Sequence, residues 1–88
     1  MAVTSVNDTA TSTELLAPNT RILGASVFND STAILYVLQG QGTASATNFS
    51  VKLDAGDYWE TPNRSWVRGG ITGIWASDAS GAARITTW

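Results

Sequence analysis

The sequence predicts an all-β protein, a small antiparallel β-sandwich or jelly-roll-like barrel of about seven or eight short strands. Three observations favour this fold class. Segments rich in Thr, Ser, Val and Ile dominate the chain, and Gly, Asn, Asp and Pro recur about every ten residues between them, as turns do in such folds. Residues 49–53 alternate apolar and polar side chains, and no stretch repeats apolar residues with the period of a helix.

The 88 residues provide room for one domain. We expect residues 1–12 to form an extended N-terminal arm or edge strand, and residues 13–88 to form a single β-sandwich domain. The first strand of that domain is predicted at residues 13–16, because Pro18 ends it in a turn. The same proline limits the best local helix candidate, residues 14–17, to one turn.

Two hairpins are predicted from polar turns that separate apolar runs. Residues 21–28 and 32–38 flank the polar segment 29–31, whose side chains favour a turn by bonding their own backbone. Residues 71–77 and 82–87 flank a second polar segment and are predicted to form the closing hairpin.

Two further strands are predicted at residues 49–53 and 57–61, joined by a glycine-containing turn. In the first of them, Phe49, Val51 and Leu53 are expected to face inward while the residues between them face water. This alternation is typical of a half-buried antiparallel strand.

Two segments are predicted as loops without regular structure. Residues 40–47 combine two glycines with small polar residues and read as a flexible loop. Residues 62–65 begin with Pro and Asn and read as a loop tip.

The segment 33–38 is apolar on both sides of the predicted strand. A strand in a two-layer sandwich has one face toward the core, so its other face needs a cover. That outer face consists either of Ile34, Tyr36 and Leu38 or of Ala33, Leu35 and Val37. Either the N-terminal arm or the long loop folds over that face, or another subunit covers it.

Four tryptophans in 88 residues are several times the usual frequency, and Trp and Tyr are enriched at the cores of protein interfaces. Tyr58 and Trp59 are neighbours on one strand and must point to opposite faces. At least one large aromatic residue is therefore expected at a surface or a contact. The predicted protein–protein interface residues are Ile34, Tyr36, Leu38, Tyr58, Trp59, Trp66 and Trp88.

The absence of Cys and His limits the kinds of catalytic and metal site that the chain can form. Without Cys there are no disulfides or thiolate metal sites, and without His the usual general base is missing. Asp54, Asp57 and Glu60 could be considered as a glycosidase pair or a Ca²⁺ site, but their spacing favours turn and strand-end roles. We expect no enzyme activity, no catalytic residue, no metal and no cofactor. Oligomerisation is then the remaining route by which so small a domain gains stability.

Charge and hydropathy exclude further classes of partner. The net charge is −2 and the five basic residues are scattered, so no basic face for nucleic acid is expected. Residues 1–4 lack the basic and apolar regions of a secretion signal, so none is expected, and no apolar run reaches the roughly 18–20 residues that a membrane span needs. The chain is expected to be made in the cytoplasm and not to bind a membrane.

Several segments, taken together, resemble a known group of proteins. The runs FNDSTAILYV at 28–37, FSVKL at 49–53 and AGDYWETP at 55–62 are similar to those of small β-sandwich virion accessory proteins of tailed bacteriophages. The endings GITGIWA at 70–76 and GAARIT at 81–86 are similar as well, so that the likeness covers nearly the whole chain.

The resemblance implies a capsid decoration or cement protein. Such a protein is synthesised in the host bacterial cytoplasm, sits on the capsid surface as a homotrimer and stabilises the phage head by binding the major capsid protein. The family has no catalytic residues to carry over. Trp66 and Arg68 depart from its pattern, in the loop after Pro62.

An alternative function is a head- or tail-fibre module that binds a glycan on the host surface. Exposed aromatic rings stack on sugar rings, and Trp59, Trp66 and Trp88 are candidates for that role. The position of the aromatic residues separates the two hypotheses, because a shallow groove favours a glycan and a flat surface favours assembly.

Overall fold

A computed structural model describes residues 2–77 and 81–88 of the chain. Within them it contains eight β-strands and one short α-helix, which confirms the all-β prediction. The residues at 78–80, predicted as the turn of the closing hairpin, lie outside the described part. The elements are β1 (Ala2–Asn7), β2 (Thr13–Leu16), β3 (Ala25–Ser31), β4 (Leu35–Gln39), β5 (Val51–Leu53), β6 (Tyr58–Glu60), α1 (Arg64–Gly69), β7 (Ile71–Trp75) and β8 (Gly81–Thr87).

The strands form two antiparallel four-stranded sheets. Sheet A has the order β1-β8-β3-β6, and sheet B has the order β2-β7-β4-β5. The first strand therefore pairs with the last, the second with the seventh, the third with the sixth, and the fourth with the fifth. This eight-stranded arrangement of two facing sheets is the jelly-roll form of the β-sandwich.

Both predicted hairpins are wrong. Strands β3 and β4 lie in different sheets, and so do β7 and β8. A polar turn marks where the chain reverses, but it does not determine whether the next strand bonds beside the last one or crosses to the facing sheet, about 10 Å away. The boundaries of the strand predicted at residues 21–28 also differ. The observed strand β3 continues through Ser31 and so includes the residues predicted to form the turn.

A helix at residues 64–69 also departs from the prediction, which placed a loop tip at residues 62–65. Asn63 caps the helix, since its side chain accepts a hydrogen bond from the N–H of Ser65 at 3.0 Å. Val67 is fully buried and anchors this turn to the rest of the domain. Six residues are too few to show a helical repeat of apolar residues, so the sequence pattern did not reveal it.

The core lies between the sheets. Val27 and Ile85 of sheet A are opposite one another in register and completely buried. Leu35 and Trp75 are paired in the same way in sheet B and are also buried. Alternate residues of each strand therefore face either this core or the outside of the molecule. No helix among residues 2–77 and 81–88 is long and apolar enough to span a bilayer.

One polar side chain, that of Asn29, is completely buried between the sheets. Its amide nitrogen donates to the carbonyl oxygens of Ala33 at 2.8 Å, Leu53 at 3.1 Å and Asp54 at 3.1 Å. Asn29 belongs to sheet A and Leu53 to sheet B, so these bonds join the two layers.

The amide oxygen of Asn29 is also satisfied. It accepts a hydrogen bond from the indole N–H of Trp75 at 3.2 Å and another from the hydroxyl of Ser31 at 2.8 Å. Trp75 is the largest buried side chain, and this bond removes the cost of burying its N–H. All the polar atoms of the Asn29 side chain thus have partners.

We predict that Asn29→Ala lowers the free energy of unfolding by about 3 kcal/mol, because it leaves the buried indole N–H of Trp75 without its acceptor and removes the amide bond to the carbonyl of Leu53 that joins the two sheets. Urea denaturation measures this loss. The neighbouring Asp30→Ala is the matched control, since it removes only an ion pair whose side chains are about half exposed and should cost about 0–1 kcal/mol. Equal losses for the two variants would contradict a structural role for Asn29.

A second prediction compares two leucines of β4 that point to opposite faces. Leu35 is fully buried in the core, so Leu35→Ala should cost about 2–5 kcal/mol, a large part of the stability of a small domain. Leu38 is only partly buried on the outer face of sheet B, so Leu38→Ala should cost clearly less. Denaturant unfolding of both variants tests the assignment, and the reverse order would contradict it.

Candidate protein-binding face

The outer face of sheet A brings together side chains from four strands. Because Val27 and Ile85 point into the core, their neighbours in β3 and β8 point outward. The outward residues of β1 and β6 follow from the same register. The exposed members of this face are Val3, Ser5, Asn7, Asp30, Tyr58, Glu60, Arg84 and Trp88.

Two aromatic side chains dominate the exposed surface of this face. The Tyr58 side chain is 57% exposed and that of Trp88 is 41% exposed. Phe28 lies opposite Tyr58 in register and is half-buried between its neighbours. Together these three side chains place exposed and partly exposed aromatic surface on a sheet face.

Trp88 is held in place by a glycine. Gly24 and Trp88 exchange backbone hydrogen bonds, with N–O distances of 3.3 and 3.1 Å, two residues beyond the Ser26–Thr86 pair. Trp88 therefore lies on the same outer face. The indole packs directly on the backbone of Gly24, where a Cβ atom would come within 2.9 Å of the ring. Only glycine at position 24 lets the indole lie this close to the sheet.

The polar side chains in the middle of the face are tied to one another. Arg84 forms an ion pair with Asp30 at 3.1 Å, and its guanidinium also donates to the hydroxyl of Ser5 at 2.6 Å. These bonds link β8 to both of its neighbours in sheet A. The charges of Arg84 and Asp30 offset one another, so that Glu60 supplies the uncompensated charge of the face.

Trp59 and Trp66 do not lie on the outer face of sheet A. Trp59 is in register with Val27, points inward and packs against the core. The ring of Trp66, carried by α1, packs edge-on against it, with ring centroids 4.9 Å apart. Both are partly buried, so this pair contributes packing between α1 and β6 and is not part of the outer face of sheet A.

Ile34, Tyr36 and Leu38 lie on the other side of the molecule, on or beside the outer face of sheet B, and each is partly buried. The loop between β4 and β5 covers part of this face. Its Ala44 is buried, and its Phe49 ring lies 5.0 Å from the ring of Tyr36. The chain itself therefore supplies part of the cover that the two-sided apolar strand requires.

The loop is held by specific bonds. The Thr72 hydroxyl on β7 donates to the carbonyl of Gly40 at 2.7 Å, and the N–H of Ala44 donates to the Ser12 hydroxyl at 3.0 Å. The prediction that Phe49 faces inward is wrong, because β5 begins only at Val51 and Phe49 is 40% exposed.

The seven predicted interface residues thus fall into three groups. Tyr58 and Trp88 share the outer face of sheet A, Trp59 and Trp66 form a packed pair, and the three residues of segment 33–38 lie on sheet B. Sequence reasoning missed Arg84, Asp30 and Phe28. The alternation within β3 and β8 could have indicated that they share a face, but not that they meet.

Of the three acidic residues considered for catalysis or Ca²⁺, Asp57 and Glu60 form local hydrogen bonds through their carboxylates and Asp54 through its backbone. The carboxylate of Asp57 accepts the N–H of Asp54 at 2.9 Å, and the N–H of Asp57 donates to the carbonyl of Asp54 at 3.0 Å. The carboxylate of Glu60 accepts a hydrogen bond from the Tyr58 hydroxyl. Within residues 2–77 and 81–88, no three acidic side chains come close enough together to hold a metal ion.

No protein-family profile matches the chain, and no curated protein or solved structure is significantly similar to it. The described structure is a jelly-roll β-sandwich. The outer face of its sheet A combines aromatic side chains with an ordered ion pair.

The hydrogen bond between Tyr58 and Glu60 makes a testable prediction. Glu60 raises the pKa of Tyr58 above its ordinary value, first by accepting the hydroxyl proton; partial desolvation and the carboxylate charge add to this, while a hydrogen bond with Ser26 opposes it. The bond favours the neutral phenol in the folded state. Its contribution to stability is therefore present below the ordinary tyrosine pKa and is lost as pH rises through the raised one.

In a Tyr36→Phe background, Tyr58 is the one tyrosine left in the chain, so ultraviolet absorbance reports its ionisation alone. We predict that adding Glu60→Ala shifts this titration to lower pH, toward the ordinary value of about 10. Superimposable titrations with and without Glu60 would show that the bond does not form in solution.

Proposed function

We propose that this protein is a non-enzymatic structural protein of a phage virion, a capsid decoration or cement protein that stabilises the head by binding the major capsid protein. The observation that carries the proposal is the outer face of sheet A. It presents Tyr58, Trp88 and Arg84 together on four hydrogen-bonded strands. In this proposal the protein acts on the capsid surface.

The composition of the face supports a protein partner. Trp, Tyr and Arg are the residue types that most often dominate binding energy at protein interfaces. The Arg84–Asp30 ion pair and the Ser5 bond hold the polar groups in place, so that a partner does not have to order them.

The architecture and the sequence resemblance support the virion setting. Jelly rolls occur in viral capsid proteins, although they also occur in lectins and cupins. A fold alone does not determine function. The choice of a phage capsid depends on the resemblance of the runs at 28–37, 49–53 and 55–62, and their neighbours, to virion accessory proteins.

A fibre module that binds host glycan is the second candidate. The exposed ring of Tyr58 offers an apolar surface with a polar end, and beside it the carboxylate of Glu60 is a hydrogen-bond acceptor that sugar hydroxyls could use. The two proposals use the same face and differ in the ligand, so one set of variants tests both.

We predict that Tyr58→Ala weakens binding to capsids by at least about tenfold, since interface aromatic residues often contribute more than about 1.4 kcal/mol. Capsids of the phage that encodes the chain, prepared without this protein, are mixed with purified protein and sedimented. Phe49→Ala is the matched control, because Phe49 is an exposed aromatic residue near sheet B rather than on this face. Circular dichroism checks that both variants are folded.

Wild-type protein that fails to sediment with the capsids would contradict the proposal. Equal binding by Tyr58→Ala, Trp88→Ala and the wild type would contradict the assignment to this face. Loss of cell adsorption or of glycan binding in Tyr58→Ala, without any capsid binding by the wild type, would favour the fibre module instead.

A further inference from the structure

We propose that the free edge of β1 is a self-association site, at which the β1 strand of a second copy pairs antiparallel and joins the two copies of sheet A into one continuous sheet. The site is the edge of sheet A rather than its outer face. It therefore stands independently of the proposed capsid function.

The β1 edge differs from the other sheet edges in the described structure. Sheet A ends at β1 and β6, and sheet B ends at β2 and β5. β1 has six residues, whereas β6 and β5 have three each and β2 has four. The β2 ladder is also interrupted by a register shift. Short or irregular edge strands resist pairing with another chain, and β1 is neither.

The backbone of β1 has unused hydrogen-bonding groups on its outer side. The N–H of Asp8 donates to the carbonyl of Gly81 at 3.2 Å, which continues the β1–β8 ladder by one residue. Neighbouring residues of a strand direct their N–H and C=O groups to opposite sides. Thr4 and Val6 therefore bond to β8, while Val3, Ser5 and Asn7 direct theirs away from the sheet.

The hydrogen bonds between β8 and β3 independently give the same direction for the backbone groups of β1. Trp88 and Gly24 exchange hydrogen bonds, so the even-numbered residues of β8 direct their backbone groups toward β3. The odd-numbered residues of β8 are then left for β1, and these are the partners of Thr4 and Val6 in the observed register.

The side chains do not protect this edge. The strand Ala2–Asn7 contains no charged residue, no proline and no glycine, which are the features that usually block an edge. Val3 is 65% exposed, the largest value among the exposed large hydrophobic residues of the described chain. Thr4 and Ser5 point to opposite faces of the sheet and both are exposed, so neither face of the strand is covered at that point.

A second copy of the chain fits the edge because the pairing can be symmetric. With a twofold axis at Ser5, each Ser5 lies opposite its counterpart and each Val3 lies opposite Asn7 of the other copy. This register pairs the backbone groups of all three outward residues. Two strands without charged residues meet without like-charge repulsion, and Arg84, which contacts Ser5, is paired with Asp30 within its own copy.

This arrangement closes at two copies. Antiparallel pairing of identical edges uses the same surface on both partners, so no free β1 edge is left for a third. It differs from the trimer that the sequence resemblance implies. It also brings the outer faces of the two copies into one surface, since Val3 and Ser5 lie on that face.

The absence of cysteine makes a direct test possible. We predict that Ser5→Cys, incubated with a mild oxidant or a short thiol cross-linker, forms a covalent dimer at least about tenfold faster than Ser65→Cys. Directly opposed residues in this kind of pair are about 5.5 Å apart between Cα atoms, within the range that a disulfide spans. Ser65 is an exposed serine on α1, outside both sheets, and is the matched control.

A second pair of variants tests the backbone groups. Ser5→Pro removes an outward N–H without removing a backbone hydrogen bond to β8, and should raise the dissociation constant of the dimer at least about tenfold. Ser5→Ala loses only the hydroxyl that Arg84 contacts, and should stay dimeric. Light scattering measures the mass, which is expected to be twice 9.3 kDa for the wild type.

Monomeric or trimeric wild-type protein at about 100 µM would overturn the inference, as would equal cross-linking rates for Ser5→Cys and Ser65→Cys. If Ser5→Pro does not fold, the cross-linking comparison decides. Tyr58→Ala should remain dimeric, so a failure of capsid binding and a failure of self-association are observed separately.

Discussion

The buried amide of Asn29 is the interaction on which the geometry of this small sandwich depends. It reaches from sheet A to backbone carbonyls beside β5 and to the indole N–H of Trp75 in β7, and it leaves no polar atom of its own unpaired. In the apolar interior such bonds are strong and an unpaired group is costly, so the amide fixes how the two sheets lie on one another. The same constraint determines the outer face of sheet A. With Asn29 pointing inward, Phe28 and Asp30 on either side of it must point outward, where Asp30 meets Arg84.

Much of the architecture could be predicted from local patterns, and the rest depended on partners distant in the sequence. The turn residues and the alternation over residues 49–53 predicted an all-β sandwich, although β5 itself begins only at Val51. The same reasoning assigned Asn29 to a turn, because its polar side chain carries no local sign of the buried partners it finds. Tyr58 and Trp88 were predicted as contact residues from residue type alone. Arg84 and Asp30 were not, since their meeting depends on a strand register that joins residues 54 positions apart.

The two sheets have different roles in this structure. Sheet B is partly covered on its outer side by the loop between β4 and β5, whose Ala44 is buried and whose Phe49 packs against Tyr36. Sheet A keeps an open aromatic face and the one long, uncharged edge of the described chain. The chain thus covers part of the outer face of sheet B itself and leaves the outer face of sheet A available to neighbours. This asymmetry gives a structural reason to expect partners along sheet A rather than on sheet B.

The position of β8 has a consequence for the order in which the protein can form. It lies inside sheet A, between β1 and β3, so that Ala2 pairs with Thr87 across almost the full length of the chain. While the ribosome is still adding residues 81–87, neither neighbour has the strand it needs. Sheet A can therefore be completed only after residues 81–87 have been added, and pairings this distant in sequence form slowly. During that interval β1 is an unpaired, uncharged strand on both edges, and a cell that makes much of this protein would have to keep nascent chains apart.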